Sequence, residues 1–214
     1  MRVAQLIFSK VELPHFIEVD ELPPTTRNAG GFGSTGLFDV PLGEEQYLME
    51  QMKWDEYFMG IAVRASFLSD CLRGAIKNGA GNYVGSARRF GCIITKNRNI
   101  IAQGFNRRTS ECSLEQGCIR ERENIPSGTS NDRGCLHAEY VAVQNHGMSG
   151  GTSLIGATVY INAEPCIMCA KLLIGCGISA IVVPEGVYPN NGLKLFEEAD
   201  IEIRHAKIDI EVPS

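Results

Sequence analysis

Two short stretches carry residue types that do chemistry together. Cys135-Leu136-His137-Ala138-Glu139 places a glutamate two residues after a histidine, and Pro165-Cys166-Ile167-Met168-Cys169 spaces two cysteines as C-x-x-C. One imidazole and two thiolates, from His137, Cys166 and Cys169, can hold a zinc ion. Three protein ligands leave its fourth position to water. Zinc lowers the pKa of such a water to about 7, so hydroxide is at hand near neutrality. Glu139 is close to the metal but needed by no ligand count. It is placed to take a proton from that water and hand it on. A competing reading is a non-catalytic assembly protein that uses zinc only to fold. That reading calls for a closed Cys/His site, and three ligands beside a placed carboxylate argue against it.

Both stretches follow a loop and open a helix. His137 stands at the start of one helix, running to about residue 146, and Cys166 and Cys169 in the first turn of another, at 166–176. Residues three apart on a helix share a face, so both sulfurs can reach one ion. Helix N-termini carry partial positive charge, which favours thiolate over thiol. Pro165 fits just before or at the first helical position. Around them strands are expected at 90–95 and 100–105, joined by a turn at 96–99, and at 158–162, 180–183 and 201–203, with a further helix at 193–199. Strands alternating with helices imply an α/β layered sheet, with the site where loops and helix starts meet the strand ends. Trp54, Phe58, Ile61, Ala65, Leu68, Leu72 and Ile76 recur at spacings of three and four. They predict one apolar helical stripe starting near Trp54 and ended by Gly74, Gly79 and Gly81. Residues 106–134 form a polar, cysteine-bearing insert.

H-x-E followed by P-C-x-x-C is the signature of zinc nucleobase deaminases. Over residues 53–205 the likeness narrows. Trp54-Asp55-Glu56-Tyr57-Phe58-Met59, Ile125-Pro126-Ser127-Gly128, His137-Ala138-Glu139 and Pro165-Cys166-Ile167-Met168-Cys169-Ala170-Lys171 together resemble the deoxycytidylate (dCMP) deaminase family. The resemblance implies a three-layer cytidine-deaminase-like α/β fold, a five-stranded mixed sheet flanked by helices. It implies hydrolysis of the exocyclic amine of a cytosine nucleotide, dCMP to dUMP plus ammonia, with Glu139 delivering protons to the ring nitrogen and the leaving amine. It also implies that Asn106 hydrogen-bonds the sugar, that the backbone of Ala138 reads the pyrimidine edge, and that the chain forms an oligomer, often a hexamer. Two positions depart from the family's usual pattern. Val141 stands where an Asn usually follows the Glu by two, and Arg107-Arg108-Thr109 replaces a Gly-x-Pro loop. These features also resemble tRNA adenosine deaminases, which lack an insert like 106–134; a tRNA or other nucleobase deaminase is the alternative reading. Some members of the dCMP family bind a second, structural zinc near this insert. Cys112, Cys118 and Cys135 are the candidate ligands here, with no clear fourth, since Gly85 or Ala87 stands where a Cys is expected.

The N-terminal part reads differently. Residues 3–8 suit a strand, Pro14, Pro23 and Pro24 punctuate extended chain, and residues 25–36 are Gly-rich. Such a run cannot be a helix or strand interior. Its free N–H groups and hydroxyls are of the kind that cradle phosphates, although on composition alone it reads as a flexible linker. Residues 1–36 resemble the C-terminal end of a trimeric dUTPase: Met1-Arg2-Val3-Ala4-Gln5-Leu6 its fourth motif, and 27–36 the arm that closes over the nucleotide, with Asn28 where Gly is usual. By that resemblance Phe32 stacks on the base while Arg27, Ser34 and Thr35 meet phosphates. The family's earlier motifs have no counterpart in the chain, so the fragment is not expected to hydrolyse dUTP alone. The expected layout is an extended arm at 1–42, a connector at 43–52, the deaminase domain at 53–205 and a tail at 206–214.

The whole composition agrees with a soluble enzyme of small molecules. Of the 214 residues 44% are hydrophobic and 21% charged, and no apolar run approaches a membrane span. Net charge is −5, whereas proteins gripping a nucleic-acid backbone usually carry a basic excess. Arg88-Arg89, Arg107-Arg108 and Arg120 with Arg122 are local basic clusters that suit solvated faces. The N-terminus lacks the long apolar region of a signal peptide. Of the eight Cys, two serve the metal motif and others, such as Cys71 and Cys92, fall on apolar stretches, which suits a reducing cytosol.

Overall fold

The computed structural model describes residues 44–84, 88–126, 133–187 and 191–208. The strand and Gly-rich arm expected at the N-terminus, with Arg27, Phe32, Ser34 and Thr35, lie outside the described residues, as does most of the tail. In chain order the elements are α1 (Glu44–Ser66), β1 (Ile76–Lys77), β2 (Tyr83–Val84), β3 (Gly91–Lys96), β4 (Asn99–Phe105), α2 (Ile119–Arg122), α3 (Ala138–Met148), β5 (Thr158–Ile161), α4 (Ile167–Gly175), β6 (Ala180–Val183), α5 (Leu193–Glu198) and β7 (Glu202–His205). No helix among the described residues is long and apolar enough to cross a membrane.

Five strands form one mixed sheet in the order β4-β3-β5-β6-β7. The hairpin β3–β4 and the pair β3–β5 are antiparallel, while β5–β6 and β6–β7 are parallel. Side chains alternate across the pleat and sort the core into two layers. On one face Ile93, Tyr160 and Val182 meet Phe58, Met59, Ala62 and Ala65 of α1. On the other Cys92, Ile94, Val159, Ile161, Ile181 and Val183 meet Ala138 and Ala142 of α3, Ala170 and Leu173 of α4, and Phe196 of α5. This is the expected three-layer α/β arrangement.

The first helix departs from its expected limits at both ends. It begins at Glu44, inside the stretch read as a connector, and stops at Ser66, short of Gly74. The apolar stripe is satisfied by several surroundings rather than by one helix. Phe58 and Ala65 pack on the sheet, Leu72 joins a separate small cluster with Cys112, Cys118 and Ile119, and Leu68 and Ile76 are exposed. Ile76 belongs to a two-stranded hairpin with Tyr83 and Val84. The Asn78 side chain closes its turn, Oδ1 accepting from the N–H groups of Ala80 and Asn82. The insert contains the short helix α2, which its polar sequence did not announce, and the last strand runs to His205 rather than 203.

Helix α1 is tied to the sheet by a buried charge. Asp55 is 3% exposed, and its carboxylate accepts from Arg204 of β7 at 2.7 and 3.1 Å and from the Tyr160 hydroxyl of β5 at 3.0 Å. Burial first, then the Asp55 charge, push the Tyr160 hydroxyl well above its usual pKa. A buried carboxylate is tolerable when paired and hydrogen-bonded in this way.

Two close approaches fix the helices over the strands. A Cβ at Gly91 would fall 2.0 Å from the Ala62 carbonyl of α1, and one at Gly104 would fall 2.3 Å from the Ala138 carbonyl and 2.4 Å from the Ala142 nitrogen of α3. These neighbours are backbone and cannot swing aside. Gly104→Ala is therefore expected to destabilise by about 2–3 kcal/mol through overpacking. Gly79→Ala, where a Cβ meets nothing within 4 Å, is expected to stay within about 0.5 kcal/mol of the parent. Urea unfolding midpoints check both.

Candidate metal centre

The sequence folds His137 and Cys166 onto equivalent positions. Each is the last extended residue before a helix, His137 with φ −76 and ψ 154 before α3, Cys166 with φ −74 and ψ 165 before α4. Cys169 follows in the first turn of α4. An isolated antiparallel bridge pairs Arg107 with Leu136, with N···O distances of 3.1 and 2.9 Å. It anchors the residue just before His137 to the chain leaving β4.

The three expected ligands converge. His137 Nδ1 lies 3.5 Å from the sulfur of Cys166 and 3.5 Å from that of Cys169, and all three ligand atoms fall within 4.8 Å of one another. Bonds of about 2.05 Å to nitrogen and 2.3 Å to sulfur put tetrahedral N and S ligands about 3.6 Å apart, so the spacing fits zinc. The three groups strongly influence one another's protonation. The Cys166 thiol is held down to about 3, first by the hydrogen bond from Cys169 and further by His137, against the opposing effect of burial. Cys169 is raised in turn, chiefly by that same bond and next by burial. His137 is raised, first by its hydrogen bond to Cys166.

Glu139 sits in the first turn of α3, 3% exposed. Burial raises its pKa, while the His137 charge and the helix N–H oppose the rise. Its carboxyl adjoins the Cys169 sulfur, and its charge reaches Cys92 on β3, whose thiol is raised chiefly by burial and next by Glu139. Ala138, fully buried, is the first residue of α3 between ligand and carboxylate.

Asn106 is 3% exposed and follows β4 directly. Its Oδ1 accepts from the Phe90 N–H at 2.9 Å and its Nδ2 donates to the Arg88 carbonyl at 2.8 Å. An amide has two donors and two lone pairs, so one N–H and one lone pair remain beyond these bonds. Three of the basic residues singled out are engaged locally: Arg108 pairs with Asp70 at 3.2 Å, Arg122 bonds Gln116 and the Glu111 carbonyl, and Arg120, 8% exposed, donates to the Pro126 carbonyl.

Cys112, Cys118 and Cys135 are brought together, and with them a residue absent from the expected set, Cys71. The thiols influence one another in two pairs, Cys135 raised chiefly by Cys71, and Cys112 raised first by burial and further by Cys118. Cys71 is lowered to about 7, chiefly by its bond with Cys135, which is itself raised. Backbone N–H groups also point at sulfur, Arg73 at Cys71 at 3.5 Å and Ile119 at Cys112 at 3.4 Å. The apolar stripe had absorbed Leu68 and Leu72 into one long helix, which hid Cys71 between them. The Gly that closes Asp70-Cys71-Leu72-Arg73-Gly74 was the available signal that the chain turns there. All eight cysteines are free thiols.

Residues 52–185 match the family model of the cytidine and deoxycytidylate deaminase zinc-binding region. The chain belongs to this family. Among its curated members, the deoxycytidylate deaminase of Mycobacterium phage D29 is 29% identical over 143 residues, which span 64% of this chain and 98% of that one. The solved dCMP deaminase of cyanophage S-TIM5, in complex with dCMP and dUMP, superposes with a TM-score of 0.52 at 22% identity, covering 72% of this chain and 96% of the other. That likeness is one of fold. A separate short match lies outside the deaminase family. The mitochondrial deoxyuridine 5′-triphosphate nucleotidohydrolase of Dictyostelium discoideum is 61% identical over 36 residues, 17% of this chain and 20% of that protein. It accords with the dUTPase-like character of residues 1–36.

The centre predicts its own metal dependence. Cys166→Ser and Cys169→Ser should each lower tightly bound zinc by about one equivalent per chain, as measured by elemental analysis after gel filtration.

Proposed function

We propose that this chain is a zinc-dependent hydrolase that converts dCMP to dUMP and ammonia. One observation carries the reading: His137, Cys166 and Cys169 converge at tetrahedral spacing beside a buried Glu139. The family match and the curated deoxycytidylate deaminases support the substrate. When bound, zinc supplies Lewis acidity and a water made acidic enough to react at neutral pH. The chain's own residues do the rest. Glu139 takes a proton from the attacking water and delivers it to the ring nitrogen and then to the departing amine. The Ala138 backbone reads the pyrimidine edge. Asn106 offers its remaining N–H and lone pair to the sugar, its amide already oriented by the bonds to residues 88 and 90.

The family resemblance implies a second, structural zinc at Cys112, Cys118 and Cys135, and we add Cys71 to that set on its interaction with Cys135; among the described residues only His137, Cys166 and Cys169 stand at mutual ligand spacing. The insert would then be stapled to the end of α1. The eight free thiols support a cytosolic setting. Assembly into a hexamer remains part of the proposal, as does an N-terminal segment that does not hydrolyse dUTP by itself; steady pyrophosphate release from dUTP by the purified chain would contradict the latter. A tRNA adenosine deaminase is the alternative, supported by Val141 and Arg107-Arg108-Thr109.

Two experiments decide. Zinc-loaded protein is assayed for ammonia with dCMP, CMP, dCTP, deoxycytidine and a tRNA anticodon stem-loop. Turnover of the stem-loop alone would replace the dCMP reading. Glu139→Gln should keep its zinc and lose about 10²–10⁴-fold in turnover, and an active variant would remove Glu139 from its role. For the second metal, the parent should carry about two zinc per chain and Cys71→Ser about one, with Glu139→Gln unchanged at two.

A further inference from the structure

Ahead of β3 the sheet is continued by two side chains. The backbone ladders end at Gly91, opposite Phe105 of β4, and at Cys92, opposite Ile161 of β5. On the β4 side Asn106 accepts from the Phe90 N–H and donates to the Arg88 carbonyl, as described, and its backbone N–H donates to the Phe90 carbonyl at 3.0 Å. On the β5 side Asn162 repeats the pattern one residue along. Its Oδ1 accepts from the Gly91 N–H at 2.8 Å, its Nδ2 donates to the Arg89 carbonyl at 3.1 Å, and its backbone N–H donates to the Gly91 carbonyl at 3.4 Å. A primary amide carries the donor and acceptor of a peptide. Residues 88–91 therefore keep a strand's hydrogen bonds on both sides, with an amide standing in for the next peptide on each.

The two flanking chains are thereby released toward the metal centre. Arg107, next after Asn106, bridges to Leu136, and His137 follows. Asn162 is followed by Ala163, Glu164 and Pro165, then by Cys166, the last extended residue before α4. The imidazole and the first thiolate thus come to the centre from opposite sides of one four-residue frame. Their helices do not fix that approach alone. Ala138 and Ala142 of α3, and Ala170 and Leu173 of α4, meet the sheet through apolar contacts, which carry no direction. Hydrogen bonds do. The path to Cys166 is held at Asn162, at the Glu164 N–H, which donates to the Val187 carbonyl at 3.2 Å, and at Pro165, whose carbonyl lies 2.1 Å from where a Cβ on Gly192 would stand. Of the three, Asn162 ties the path to the frame that also serves His137.

We propose that Asn162 is a positioning residue for the metal: its amide sets how closely Cys166 approaches His137, a separation of 3.5 Å here. This rests on the zinc-centre reading above and assigns the spacing of the ligands to a side chain that is not one of them. Residues outside the ligand set act on a metal by orienting its ligands. Asn162→Ala removes both side-chain bonds. Asn162→Asp keeps the shape and the acceptor for Gly91 but turns the donor into a second acceptor facing the Arg89 carbonyl.

The test compares the parent with Asn162→Ala, Asn162→Asp, Tyr160→Phe and Cys166→Ser, loaded with cobalt(II) and, separately, with zinc. Tyr160→Phe is the control, because it removes a hydrogen bond from β5 on the face turned to α1. The cobalt equivalent that Cys166→Ser lacks reports this centre. Its thiolate-to-cobalt absorption should shift in both Asn162 variants, and zinc at the same centre should weaken about 10- to 100-fold against a competing chelator. Tyr160→Phe should match the parent in both readouts, whatever its urea midpoint. Asn162 variants that lose stability yet keep the parent's spectrum and zinc affinity would overturn the assignment, as would an equal loss in Tyr160→Phe. If Asn162→Asp does not fold, Asn162→Ala decides. Equal metal in the parent and in Cys166→Ser is a different outcome: the centre itself has then failed, and the positioning role falls with it.

Discussion

Helix α3 lies where it does because residue 104 has no side chain. The Ala138 carbonyl and the Ala142 nitrogen occupy the space a Cβ would take. This contact sets the height of α3 over β4, and the height sets where His137 and Glu139 begin. A helix displaced outward by one methyl group would carry the imidazole away from two sulfurs that are fixed by a different helix. The metal centre thus depends on backbone-to-backbone contact some distance from any ligand. Gly192 makes a comparable approach to the Pro165 carbonyl, just ahead of Cys166. Both ligand-bearing segments are seated on glycines.

The opposite layer works through charge. Helix α1 could slide along an apolar sheet face, since Phe58, Met59 and Ala62 offer no directional bonds. Asp55 supplies the direction, because its carboxylate must meet both Arg204 and Tyr160 at once. With α1 set in this way, the chain beyond Ser66 delivers Ser69, whose hydroxyl bonds the Asn106 carbonyl at 2.9 Å, and Asp70, which holds Arg108. The buried ion pair therefore reaches the neighbourhood of the site through a short run of ordinary hydrogen bonds.

The metal ligands, Glu139 and the alternation of strands and helices were legible because each is written locally. Spacing within five residues sets a helical face, and alternation within six sets a strand. What was hidden depended on contacts distant in sequence. Cys71 meets Cys135, and Asn162 meets Arg89, across gaps that no periodicity records. The limits of α1 were misjudged because a helical repeat describes where apolar residues point, not which core receives them. Leu72 kept the rhythm of the stripe while belonging to the insert. Gly91 and Gly104 fell inside the expected strands, and only the packed backbones above them give a reason for their being glycine.

Arg204 lies on β7, one of the two edge strands of the sheet among the described residues. An outer strand offers unpaired peptide groups to any passing chain, and charged residues on it discourage that pairing. Glu202 and Arg204 occupy two of its four positions. Arg204 reaches inward to Asp55 and also pairs with Glu202 along the same strand. The guanidinium that orients the first helix thus also places charge on an edge strand of the described sheet. Losing it would strip charge from that edge at the same moment as it left the buried Asp55 carboxylate without its cation.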